Sequence, residues 1–181
     1  MTIKTLANLL PLADTSLTDR KQCRADALAA AEFMARDRIA AQGEYIARPP
    51  QPIADFGCVL DQWNTAALAV LGTAYTVFQA VAAPAVGLRQ VIVWYKVSNL
   101  NANVSLLIFQ EGAAGRTTYA VVNLEELYAH LETVGYLAEP VVYPPGSVMR
   151  ITAVCRIVTG LPEPVILSGF VVEPTGPQIS G

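Results

Sequence analysis

The sequence predicts a mainly β protein, an antiparallel β-sandwich or jelly roll with an N-terminal α-helical arm. Three observations carry this. Short runs rich in β-branched and aromatic residues alternate with turn residues along most of the chain. One alanine-rich stretch near the start has helical spacing and contains neither Gly nor Pro. Charge is scarce everywhere except in the first 48 residues, which hold seven basic and six acidic groups. The remaining 133 residues hold only five basic and nine acidic groups, the pattern of buried sheet faces and subunit contacts.

In chain order, Met1 to Ala13 reads as an extended apolar arm carrying Leu6, Leu9, Leu10 and Leu12. It lacks the clean apolar core and small-residue cleavage site of a secretory signal before Asp14. Thr18 to Gln42 reads as a helix. Ser16 or Thr18 caps it, Asp19 complements its dipole, and Gly43 stops it. Leu28, Ala31, Ala35 and Ile39 share one face, with Ala27, Ala30 and Met34 beside them. The candidate partner-binding residues are accordingly Leu6, Leu9, Leu10, Leu12, Leu28, Met34 and Ile39. Prolines 49, 50 and 52 make a stiff connector over 49–55, which divides an arm and helix (1–48) from a β-domain (56–181).

Strands are expected at Phe56–Leu60, Thr73–Ala82, Arg89–Ser98, Val104–Gln110, Thr117–Leu124, Leu137–Tyr143, Val148–Thr159 and Val165–Glu173. The sharpest alternation puts Met149, Ile151, Ala153, Cys155 and Ile157 on one face, and Arg150, Thr152 and Arg156 on the other. Turn residues separate the runs at Asn99–Asn103, Gly112–Gly115, Pro144–Gly146 and Gly160–Pro162. A short helix interrupts them after Asn123, with Glu125 and Glu126 in its first turn and Leu124, Leu127, Tyr128 and Leu131 on its apolar face.

Composition excludes several classes of function. A chain of 181 residues with 53% hydrophobic and 15% charged residues is not disordered. A net charge of −3 supplies no basic excess for nucleic acid. The uncharged stretch from Gln62 to Leu88 is long enough to span a bilayer, but Asn64, Gln79, Gly72 and Pro84 break it and no basic cluster flanks it. It reads as strands, and no membrane partner is expected.

No catalytic signature emerges, and the expectation is a non-enzyme without cofactor or metal. His130 is the only histidine and stands four residues after Glu126, as in an exposed helical pair. Cys23, Cys58 and Cys155 are too few and too scattered for a disulfide framework or a zinc set, and their odd number suggests reduced thiols. Glu125 and Glu126 are adjacent, so they diverge on a helix instead of converging as an acid–base pair. Gly112-Ala-Ala-Gly-Arg116 lacks the G-K-[ST] of a phosphate loop and reads as a hairpin turn. Nine aromatics (Trp63, Tyr75, Phe78, Trp94, Tyr95, Phe109, Tyr119, Tyr136 and Tyr143) leave a sugar-binding module of a receptor-binding protein as an alternative.

The order of arm, Ala/Arg-rich helix, Pro-rich connector and strands resembles virion structural proteins of tailed bacteriophages. The segments that carry the likeness are Val91–Ser98, Leu106–Gly112 and Tyr136–Gly146. They are similar in character to those of capsid decoration (cement) proteins. The resemblance implies a homo-oligomer, such as a trimer, made in the host cytoplasm and mounted on the virion, where it contacts the major capsid protein and stabilises the head. A head–tail connector or tail component is the alternative within the same class.

Overall fold

The computed structural model describes residues 9–11, 16–39, 44–78, 84–115 and 117–175. Its elements run β1 (Leu9–Pro11), α1 (Leu17–Arg38), β2 (Tyr45–Arg48), α2 (Pro52–Phe56), β3 (Asn64–Ala67), β4 (Ala74–Thr76) and β5 (Val91–Ser98). They continue with β6 (Val104–Glu111), β7 (Thr117–Asn123), α3 (Glu125–Ala129), β8 (Val134–Tyr143), β9 (Met149–Cys155), β10 (Pro162–Pro164) and β11 (Ile166–Pro174). The protein is mainly antiparallel β. A five-stranded sheet has the order β1-β8-β5-β11-β2, a four-stranded sheet has the order β4-β9-β6-β7, and β10 pairs with β3.

One large core draws on both major sheets. Ile92, Trp94 and Val97 of β5, Tyr143 of β8 and Val171 of β11 join Leu107 and Phe109 of β6, Val122 of β7, and Met149 and Ile151 of β9. At its centre Trp94 is fully buried, with Trp63 5.6 Å away edge-on and Phe56 6.0 Å away. The Trp94 indole N–H donates to the Met149 sulfur at 3.4 Å, which satisfies the one polar atom that burial would strand.

β5 explains the architecture. Val91, Ile92, Val93 and Trp94 are all buried, as a strand covered on both faces requires. Ile92 and Trp94 enter the large core, while Val91 and Val93 face α1. The helix meets the sheet through Ala27, Ala31, Ala35 and Ile39, spaced by four residues, with Cys23 buried one step earlier. Small side chains let its backbone approach Val91, Val93, Phe170 and Val172 closely. Ser16 rather than Thr18 caps the start: its hydroxyl accepts from the Asp19 N–H and the Asp19 carboxylate accepts from the Ser16 N–H, both at 3.1 Å. The helix ends at Arg38, where Ile39 turns extended, and Gly43 lies outside the described residues.

Several expectations are corrected here. The described parts of the first 48 residues pack on the five-stranded sheet. β1 pairs with β8, β2 pairs with β11, and α1 covers the face between those edges. The strand expected at Phe56–Leu60 does not form: α2, whose first turn Pro52 pre-sets, runs through Phe56, Gly57 ends it at φ +63°, and 58–60 lie in no named strand. The Asp55 carboxylate also accepts from the Gln51 N–H at 2.7 Å. The strand expected at Thr73–Ala82 shortens to β4, with 79–83 outside the described residues. β9 stops at Cys155 because the N–H groups of Arg156 and Ile157 turn to the Asn103 carbonyl.

Candidate interaction surface at the loop end

The connections β3–β4, β5–β6 and β9–β10 converge at one end of the sheets. Leu68 accepts from the N–H groups of Thr159 and Gly160 and donates to the Leu161 carbonyl; Gly72 donates to Cys155. Asn103 accepts from Arg156 and Ile157, and Asn99 donates to Thr133, which brings in the α3–β8 turn. These turns present Val70, Leu71, Leu100, Leu131, Ile157, Val158 and Leu161, every one an exposed large apolar side chain. Exposed aliphatic side chains on neighbouring hydrogen-bonded loops make this end the candidate interaction surface.

A buried polar network sets the loops beneath this surface. Glu163 of β10 is only 3% exposed. One of its oxygens accepts from the Asn99 amide at 2.5 Å, and the other accepts from Asn103 at 3.0 Å and Asn101 at 3.4 Å. The spacing Asn99-x-Asn101-x-Asn103 thus delivers three amides to one carboxylate. The Asn99 carbonyl oxygen accepts in turn from the Val104 N–H at 3.3 Å and the Tyr128 hydroxyl at 3.1 Å. Thr65 of β3 accepts the Glu163 N–H at 3.0 Å. Such hydrogen bonds to a buried charge hold better than neutral ones and fix loop geometry.

Arg156 locks the exposed side of the network. It lies over the Tyr128 ring at 5.3 Å, donates to the Ala102 carbonyl at 3.0 Å and pairs with Glu125 at 3.7 Å. Burial raises the Tyr128 hydroxyl above its ordinary range despite the nearby guanidinium. Among the described residues, the two non-glycine residues with left-handed backbone are Ala102 (φ +55°) and Leu131 (φ +57°), and both belong to these loops. At Leu131 the strained backbone carries a side chain that is 94% exposed. Strain of about 1–3 kcal/mol persists only where surrounding structure enforces it, and it gathers at functional surfaces.

The residues expected to bind a partner have other positions. Leu28 and Met34 are half-buried and Ile39 is buried, all packed against the chain's own sheet. Helix–sheet packing within the chain accounts for their spacing. Leu9 and Leu10 lie in β1, paired with Leu137 and Tyr136. Leu6 and Leu12 lie outside the described residues. Of the nine aromatics, Trp63, Phe78, Trp94, Phe109 and Tyr143 are buried, and Tyr75, Tyr95, Tyr119 and Tyr136 are partly buried.

Other reactive groups do not converge. Cys23, Cys58 and Cys155 are free and buried, and burial pushes the thiols of Cys23 and Cys58 up. His130 is exposed at the end of α3. Among the described residues no three His, Cys, Asp or Glu side chains are grouped to hold a metal ion, and no helix is long and apolar enough to cross a membrane.

A second polar cluster has a structural role. Arg48 of β2 bonds Asp55 of α2 at 2.6 Å and Glu173 of β11 at 3.1 Å, and Gln90 donates to the other Glu173 oxygen at 2.9 Å. Burial pushes both carboxyls up, but the hydrogen bonds outweigh it and hold both below their ordinary values. Comparison with family models, curated proteins and solved structures finds no match for the chain.

The Asn99–Glu163 network went unread because it joins residues 64 positions apart. Its sequence traces are the Asn-x-Asn-x-Asn spacing and one carboxylate between two prolines, Pro162 and Pro164, in a charge-poor region.

Proposed function

We propose that this chain is a non-enzymatic structural protein of a virion, a capsid decoration protein that stabilises a phage head through contacts with the major capsid protein and with its own copies. In this reading the two major sheets form a β-sandwich, and the loop end is the docking face. The supporting observation is the combination at that end: exposed aliphatic side chains on loops pre-set by a buried carboxylate and two left-handed residues. Pre-set loops limit the entropy lost on docking. The sequence resemblance points to the same class of protein.

The experiment is attachment of purified protein to heads that lack it, comparing the chain with a Leu71→Asp, Val158→Asp double variant. Both positions are exposed, so stability should change by no more than about 0.5 kcal/mol per site. Attachment should be lost while the thermal transition stays in place. Undiminished attachment of the double variant would remove the docking role of the loop end. Copies spread over the whole head support decoration, whereas copies confined to a single ring would assign the chain to the neck or tail.

A further inference from the structure

We infer that β7 pairs antiparallel with the β7 of a second copy, extending two four-stranded sheets into one. This rests on, and deepens, the self-association in the proposed function.

The two major sheets have four edges, and three of them are poor templates. β1 and β4 have three residues each. β2 has four and ends on Arg48, ion-paired to Asp55 and Glu173 and followed by two prolines. The fourth edge, β7, runs seven residues, Thr-Thr-Tyr-Ala-Val-Val-Asn, without charge or proline. Charges, prolines, bulges and short edge strands are the ordinary protections against pairing between chains; β7 has only a bulge, where its pairing with β6 skips Tyr119, and its edge is regular over 120–123. Among the described residues no strand lies on its outer side.

Backbone alternation shows what that edge offers. The Leu124 N–H bonds the Ser105 carbonyl, and Leu107 pairs with Val122 while Ile108 pairs with Val121. In an antiparallel ladder the hydrogen-bonded pairs alternate, so Val122 points its backbone groups at β6, and Val121 and Asn123 point theirs outward. Beside that edge the outer face of the sheet carries Leu106, Ile108, Val121 and Val154, only partly exposed and, among the described residues, with no helix packed broadly over them.

Charge selects the occupant and its direction. An uncharged strand brings no like charges together when it meets itself. Glu125 and Glu126, both exposed, follow β7 immediately. Parallel pairing would set the two acidic pairs side by side. Two-fold antiparallel pairing centred on Val121 sends them to opposite ends of the shared ladder and sets Val121 opposite its own copy.

The test is the mass in solution of the full chain and of two variants, Val121→Lys and Val121→Glu. The chain should have the mass of a dimer or a multiple of it. Each variant alone should lose that association, because like charges then meet across the ladder, and mixing the two variants should restore it. Restoration also shows that both variants are folded. A monomeric wild-type chain would overturn self-pairing and leave the edge to a strand of a different protein. Retained self-association in both variants would overturn it equally. Head attachment reads the other proposal: a chain that dimerises through β7 but does not bind heads refutes the decoration role alone, and a monomeric Val121→Lys chain that still binds heads separates docking from pairing.

Discussion

The two large sheets share a core but have different outer faces. Helix α1 covers the five-stranded sheet, and β5 is consequently apolar on both sides. Among the described residues no helix packs broadly on the four-stranded sheet, whose outer face carries the partly exposed Leu106, Ile108, Val121, Val154 and Arg150 beside the buried Thr152. The difference separates two uses of the same residue types. Where valine and alanine meet a close helix, their size is fixed by geometry. Where valine and isoleucine are only partly covered, size is less constrained.

The largest expected effect tests how tight the covered sheet is. A Cβ on Gly169 would lie 1.9 Å from the Val93 carbonyl oxygen and 2.8 Å from the Trp94 ring. Gly169 pairs with Trp94 where β11 and β5 shift register, so only a residue without a side chain lets the strands pass. Gly169→Ala should cost about 3 kcal/mol, measured by denaturant titration.

The contrast sharpens with a matched pair. Ala31→Leu forces new methyl groups between α1 and β5 and should cost about 2 kcal/mol. Ile108→Phe enlarges a side chain on the uncovered face and should cost no more than about 0.5 kcal/mol. Equal costs would mean that the two faces are packed alike.

The smallest effect is electrostatic. Asp55 and Glu173 have lowered pKa values in the folded chain, so they stabilise it at pH above the ordinary carboxylate range and lose that contribution as pH falls through the folded values. Below about pH 4 the thermal midpoint should therefore drop. Arg48→Met should reduce that part of the profile without abolishing it, because Arg48 is the largest lowering influence on Asp55 and stands second to Gln90 at Glu173, while the Gln51 N–H also lowers Asp55. An unchanged acid profile in the variant would show that the clamp contributes nothing.

The elements legible in the sequence are those whose pattern is local and long. α1 and the strands β5, β6, β7, β8, β9 and β11 are found where periodicity places them, and Met149, Ile151, Ala153 and Cys155 are buried as their alternation requires. β1, β2, β3 and β10 do not stand out in the sequence, since three or four residues are too short to show a period and Pro162 at the start of β10 reads as part of a turn. The loop-end site was unreadable for a different reason. Exposure of Leu71 or Val158 depends on which distant segments fail to cover it, and hydropathy points such residues inward.

The positions of β1 and β2 on the sheet also set the order of folding. Both come first in the chain, yet they pair with late partners: β2 with Val171–Pro174 and β1 with Gly135–Leu137. A growing chain therefore completes α1 well before Phe170 and Val172, half of the surface that the alanine stripe fits, have been made. At about 5–20 residues per second that interval is on the order of ten seconds. Throughout it the helix is held by its capping box and its local propensity alone, and the five-stranded sheet closes only when the last strand is inserted between β5 and β2.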